Sequence, residues 1–135
     1  MRVDELVFLK LGGSLITDKL RLETPRQAVI ERMGHEISAA LAARPGLRLV
    51  VGHGSGSFGH FYADHFKVHQ GHLSDWRGYA ETAAAAQRLN RLVADALLSA
   101  GVPVVSLQPS ASARCTAGEL VDLNTAPVLT LLEQG

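Results

Sequence analysis

Residues 50–60, V-V-G-H-G-S-G-S-F-G-H, gather the groups in this chain that suit phosphate chemistry: four glycines (Gly52, Gly54, Gly56, Gly59), two serines (Ser55, Ser57) and two histidines (His53, His60). An apolar run, residues 47–51, leads into them, and a more helix-like segment follows from Phe61. Strand, glycine loop and helix together cradle anions. Missing Cβ atoms let backbone N–H groups approach the ligand, and the helix N-terminus adds a partial positive charge. Three readings are open. The loop is a ligand-free turn, a dinucleotide loop, or a phosphate loop of another class. Residues 54–59 match G-x-G-x-x-G, but a dinucleotide site wants a second strand ending in an acidic residue about 20 positions on. The residues after Phe61, Y-A-D-H-F-K-V-H-Q-G-H-L-S-D-W, hold no strand-like run. No Gly-Lys-Ser/Thr follows either, so this is not a Walker A loop. A cation for the phosphate must come from elsewhere in the chain.

The first residues supply it. Residues 6–11 (L-V-F-L-K-L) read as a buried parallel strand interrupted by Lys10, and Gly12, Gly13 and Ser14 follow. Lys10 either snorkels at a strand end or faces a ligand, since open α/β sheets bind ligands at the carboxyl ends of their strands. Residues 15–22 carry Lys19 and Arg21 and read as a solvated hairpin or as a flap bringing a second cation over the site.

Five of the six histidines lie between His53 and His72. His65 and His69 are four apart and His72 follows, but there is no H-E-x-x-H and no paired cysteine, so these three read as surface polar residues and no metal ligand is assigned. His60 differs because it stands where the loop meets the next segment.

The elements that must hold these groups alternate. Thr24, Pro25 and Gln27 read as N-cap, first helical position and capping-box partner of a helix whose apolar face is Ile30, Met33, Ile37, Ala40 and Leu41. It stops before Pro45-Gly46, and residues 47–51 are the second strand. Residues 79–100 form the longest helical pattern, with Ala83, Ala86, Leu89, Val93 and Leu97 on one face and Gly101 as its stop. Residues 102–107 read as a third buried strand, residues 113–123 as a hairpin around Ala117-Gly118, and Asn124-Thr125-Ala126-Pro127 as another helix start. Strands alternating with helices predict an α/β fold, a mainly parallel sheet with helices on both faces. The 135 residues suffice for one domain with a real core. Net charge is zero, which removes any bulk argument for nucleic acid or membrane partners. The single Cys115 excludes an internal disulfide and suits a reducing compartment. The start M-R-V-D-E-L lacks a signal-peptide pattern and no apolar run approaches a membrane span, so the expected location is the cytoplasm.

Taken together, Leu9-Lys10-Leu11-Gly12-Gly13-Ser14-Leu15-Ile16-Thr17-Asp18-Lys19, the loop at residues 52–60 with its terminal histidine, Leu89-Asn90, and Leu107-Gln108-Pro109-Ser110 resemble the amino acid kinase superfamily. Within it they are most similar to the isopentenyl phosphate kinase branch. The likeness runs the length of the chain. It implies a three-layer sandwich and an ATP-dependent phosphotransferase that converts isopentenyl phosphate to isopentenyl diphosphate in isoprenoid biosynthesis, with Mg2+ present. By the same resemblance Lys10 holds the ATP phosphates, Gly12, Gly13 and Ser14 offer backbone groups to them, and Lys19 stabilises the transferring phosphoryl. Gly54 and Gly59 contact the acceptor, Ser55 the nucleotide side, and His60 the acceptor phosphate. An alkyl tail beyond that phosphate needs an apolar wall, and the helix turns of Tyr79, Ala83 and Ala86 are the nearest candidate. Ser55 stands where other versions have glycine. A fosfomycin-type phosphonate kinase, which shares a histidine like His60, is one alternative; a non-catalytic phosphate-binding module is another. Members of the family are about twice this length, the size of a large single domain. Residues 1–135 therefore read as the N-terminal, acceptor-binding half, without the adenine pocket and magnesium-side carboxylates. The half alone is expected to be inactive, and the full-length protein is expected to be a homodimer.

Overall fold

The computed structural model describes residues 5–70 and 75–135. Its elements run β1 (Glu5–Leu11), α1 (Gly13–Ile16), α2 (Gln27–Ala43), β2 (Leu47–His53), α3 (Gly56–His65), a 3-10 turn (Val68–Gln70), α4 (Trp76–Ser99), a second 3-10 turn (Pro109–Ala111), β3 (Arg114–Thr116), β4 (Glu119–Asp122) and α5 (Ala126–Gln134). His72 lies outside the described residues.

β1 and β2 pair in parallel, from Glu5 opposite Leu47 to Leu11 opposite His53. Side chains alternate across the pleat. Leu9, Leu11, Leu49 and Val51 join one core with Ile16, Ile30, Ile37, Phe58, Leu89 and Val93 from the helices. The other face of β1 is open, and Phe8 is 75% exposed there. On that side Arg48 of β2 donates through Nε to the Leu132 carbonyl of α5 at 3.1 Å. Helices thus meet the parallel pair on both faces, and the expected α/β architecture is present.

α2 and α4 pack closely because Gly34 has no side chain; a Cβ there would lie 3.1 Å from the Ala96 carbonyl oxygen. That contact sets the roll of α4. Its buried stripe is Ala85, Leu89, Val93, Ala96 and Leu97, with Ala83 and Ala86 half-buried beside it. The core face expected through Ala83 and Ala86 is therefore shifted to Ala85. α4 begins at Trp76, with Asp75 Oδ1 accepting from the Arg77 amide at 2.8 Å, and ends before Gly101 as expected.

Two other expectations fail locally. α2 begins at Gln27, after Arg26, and no side chain caps it. Thr24 and Pro25 are drawn away by an antiparallel bridge to Thr17, with the Asp18 amide donating to Thr24 O at 2.9 Å and the Arg26 amide to Ile16 O at 2.7 Å. Residues 102–107 are not a strand: among the described residues they join no ladder. Val102 is buried and Val104 packs on the core, whereas Val105 and Leu107 are exposed. The apolar run marks half-burial without a paired backbone. The hairpin around Ala117-Gly118 is present, with positive φ at both residues (51° and 82°) in its turn. α5 begins where expected, with Asn124 Oδ1 accepting from the Ala126 amide at 3.1 Å. Among the described residues no helix is long and apolar enough to cross a membrane.

Candidate functional site

The parallel register delivers two glycine loops to the same end of the sheet. Lys10 lies opposite Gly52 and Leu11 opposite His53, and the Gly54 amide then donates to Leu11 O at 2.8 Å. Beyond that bond the two backbones touch. A Cβ on Gly13 would sit 2.6 Å from the Gly56 nitrogen, and one on Gly54 would sit 2.7 Å from the Gly13 nitrogen. Gly56 has φ +50°, and a Cβ there would come within 2.1 Å of Thr17 Oγ1. Contact this close between two backbones leaves no room for side chains at Gly13, Gly54 or Gly56.

α3 starts at Gly56, earlier than the sequence suggests, because its first turn is held from outside. The Phe58 and Gly59 amides donate to Ser55 O at 3.0 and 3.3 Å. Thr17, fully buried, donates its hydroxyl to Gly13 O at 2.7 Å and accepts the Ser57 amide at 3.0 Å. One hydroxyl thus joins the turn after β1 to the helix after β2. Ser57, 1% exposed, accepts the Thr24 amide at its Oγ and the Glu23 amide at its carbonyl, each at 3.2 Å. The loop proper is only Gly54-Ser55. Gly59 packs against Ser55, where a Cβ would stand 2.5 Å from Ser55 Cβ.

A second tie comes from α4. Asn90 Nδ2 lies 3.0 Å from His53 Nε2, and His53 Nδ1 lies 3.0 Å from Gly54 O. One tautomer satisfies both contacts: Nδ1–H donates to the carbonyl while Nε2 accepts the amide proton. Tyr79, Ala83, Ala86 and Asn90 are spaced four, three and four apart, so they share one stripe of α4. The Asn90 bond fixes the end of that stripe at the glycine loop. Ala83 and Ala86 are half-buried along it, and Tyr79 meets Trp76 edge to face with ring centroids 5.8 Å apart.

The remaining expected site residues are solvent-facing. Lys10 is exposed on β1, and Ser14 is exposed in the single turn of α1 that Gly12 precedes. Lys19 is exposed at the turn of a short hairpin that a single antiparallel bridge, Thr17 to Pro25, closes; Leu15 and Ile16 belong to α1, so the solvated hairpin expected over residues 15–22 is not formed as such. His60 is exposed on α3, one turn past Gly56. The glycines come together; Lys10, Lys19 and His60 stand exposed on β1, on the stretch between Thr17 and Pro25, and on α3.

Glu23 closes the hairpin onto the helices. Its carboxylate accepts from Tyr62 Oη at 2.9 Å, from Arg88 Nε at 3.0 Å, and from the Arg88 terminal nitrogen. Arg88's hydrogen bonds hold the Glu23 carboxyl below its ordinary value, against the opposing pull of partial burial, and the same carboxylate raises the Tyr62 hydroxyl. Sequence reasoning assigns no role to Glu23, Tyr62 or Arg88, and it quotes Thr17 and Asn90 only within stretches that carry the resemblance. Thr17 leaves a local trace besides, a hydroxyl four residues after Gly13, just past the single turn of α1. No group of three or more His, Cys, Asp or Glu among the described residues is placed to hold a metal ion.

The amino acid kinase family model matches residues 5–135. The isopentenyl phosphate kinase of Methanothermobacter thermautotrophicus is 36% identical over 96% of this chain and 50% of its own length. That of Haloferax volcanii is 39% identical over 96% of this chain and 52% of its own. A crystallographic isopentenyl phosphate kinase superposes with TM-score 0.83 at 35% identity, covering 97% of this chain and 55% of that one. The chain spans about half the length of the curated relatives it matches.

Proposed function

This chain belongs to the amino acid kinase family, and from that footing we propose that its protein transfers the γ-phosphoryl group of ATP to isopentenyl phosphate. The observation that carries the proposal is the backbone contact of Gly13 with Gly56, which sets two amide-rich turns side by side at the carboxyl ends of parallel strands. That is a cradle for two adjacent phosphoryl groups. The likeness to isopentenyl phosphate kinases over nearly the whole chain supports the choice of acceptor.

In this reading an oxygen of the acceptor phosphate attacks the γ-phosphorus, the bond to the β,γ-bridging oxygen breaks, and isopentenyl diphosphate and ADP result. The acceptor is already ionised, so no strong general base is required, and positioning with charge neutralisation does most of the work. Lys10 and the turn of Gly12, Gly13 and Ser14 hold the ATP phosphates, with Ser55 on the nucleotide side. Lys19 meets the charge on the transferring group. Gly54, Gly59 and His60 hold the acceptor phosphate, His60 as a hydrogen-bond donor. The stripe of Tyr79, Ala83 and Ala86 receives the prenyl tail, because Asn90 anchors that stripe to the loop. Mg2+ would ride mainly on the ATP phosphates. The described residues offer no metal cluster, and no step here depends on one.

The test is ATP-dependent formation of isopentenyl diphosphate by the full-length protein. His60→Ala is expected to lower kcat/KM by about 2–4 kcal/mol in transition-state terms while the protein stays folded. Lys10→Met and Lys19→Met should each slow turnover strongly. Turnover of fosfomycin without turnover of isopentenyl phosphate, or full activity in a folded His60→Ala protein, would overturn the assignment.

A further inference from the structure

The hairpin that carries Lys19 is hydrogen-bonded within itself. The Asp18 amide donates to Thr24 O at 2.9 Å, and the Leu20 amide donates to Asp18 Oδ1 at 3.0 Å. Those bonds fix its shape but not its attitude toward the glycine loops. Attitude is set by contacts with the helices: the Glu23 and Thr24 amides donating to the Ser57 carbonyl and hydroxyl, and the Glu23 carboxylate. Glu23 sits at φ +46°, a left-handed conformation that non-glycine residues avoid and that persists when the surroundings over-determine it. Here the surroundings are a phenol from α3 and a guanidinium from α4, converging on one carboxylate. Tyr62 lies two residues beyond His60, Arg88 two residues before Asn90, and Glu23 four residues beyond Lys19.

We propose that Glu23 is a positioning residue, latching the Lys19 hairpin onto α3 and α4 so that Lys19 faces the phosphate held by His60. The task given to Lys19 rests on the kinase reading above; the latch rests on geometry alone. The Glu23 and Arg88 side chains are 25% and 47% exposed. A half-exposed ion pair adds little stability, but a carboxylate gripped from two sides by guanidinium and phenol has a fixed direction. The latch therefore governs orientation more than stability.

The experiment pairs amide hydrogen exchange with steady-state kinetics on the full-length protein, using Glu23→Gln, Arg88→Met and the double variant. Exchange at residues 20–24 should accelerate about tenfold in Arg88→Met while α2 is unchanged. With ATP and isopentenyl phosphate, kcat should fall about tenfold or more while KM for the acceptor stays within about twofold. The double variant should be no worse than the poorer single one. Unaltered exchange in the hairpin overturns the latch whether or not the wild-type protein turns over isopentenyl phosphate. An opened hairpin with full kcat overturns the positioning role. An opened hairpin in a protein whose wild type never phosphorylates isopentenyl phosphate keeps the latch and sinks the substrate reading instead.

Discussion

Asn90 donates to His53 at 3.0 Å, across the gap between the longest helix and the end of the second strand. The bond fixes a tautomer, and the tautomer in turn holds the Gly54 carbonyl. Asn90→Leu should leave His53 Nε2 half-buried without its donor. A lost hydrogen bond of this kind costs about 1 kcal/mol, readable by urea denaturation. Long-range 1H–15N spectra of the wild type should report the Nδ1–H form of His53. An Nε2–H signal there would refute this arrangement.

Gly13 and Gly52 make a matched pair for testing the loop contact. Gly13→Ala must push backbone against backbone, since its Cβ would lie 2.6 and 2.8 Å from Gly56 N and Cα. Overpacking of this sort costs about 1–3 kcal/mol. Gly52→Ala meets nothing within 4 Å. It should be neutral, or stabilising by about 0.5 kcal/mol through a stiffer unfolded chain. Equal melting temperatures for the two variants would show that the loops are not held as described.

The glycine loops and the alternation of strands and helices were legible in the sequence because they are local patterns: apolar runs, glycine clusters and turn pairs such as Ala117-Gly118. The groups that lock the site were not. Thr17 joins Gly13 to Ser57 across 40 positions, and Glu23 meets Arg88 across 65. No periodicity encodes such a pairing. The start of α3 is hidden from sequence for the opposite reason. Glycine is a poor helix former, by about 1 kcal/mol relative to alanine, and only the bond from Thr17 shows why residues 56–60 are helical despite it. At residues 102–107 the apolar run was a sound sign of burial and a poor sign of pairing, since a ladder needs a neighbour that hydropathy cannot reveal.

The alanines of α4 separate core from stripe. Ala85 is fully buried, so Ala85→Leu should overpack the core and lower stability by about 1–3 kcal/mol. Ala83 and Ala86 are half-buried, and leucine at either should be borne with less than about 1 kcal/mol of change. In the full-length protein those two leucines should instead raise KM for longer prenyl phosphates more than for isopentenyl phosphate. Loss of stability at all three positions, with no change in chain-length preference, would return the whole face to packing.

The Glu23 latch makes a pH prediction with a definite sign. Arg88's hydrogen bonds to the charged carboxylate hold Glu23 below its ordinary 4.5, Tyr62 adds to the effect, and partial burial opposes it. Glu81 is the other acidic group acting on Tyr62 and Arg88. A carboxyl with a lower pKa folded than unfolded contributes stability above the unfolded value, and that contribution is lost as pH falls through the folded value. The latch is therefore intact at neutral pH and released on acidification below 4.5. Because both side chains are partly exposed, the contribution at pH 7 should be no more than about 1 kcal/mol. Wild type should melt a few degrees above Arg88→Met at pH 7, and the two curves should converge as pH falls toward 3. A gap that stays constant over that range would mean that the carboxylate's charge is not what Arg88 holds.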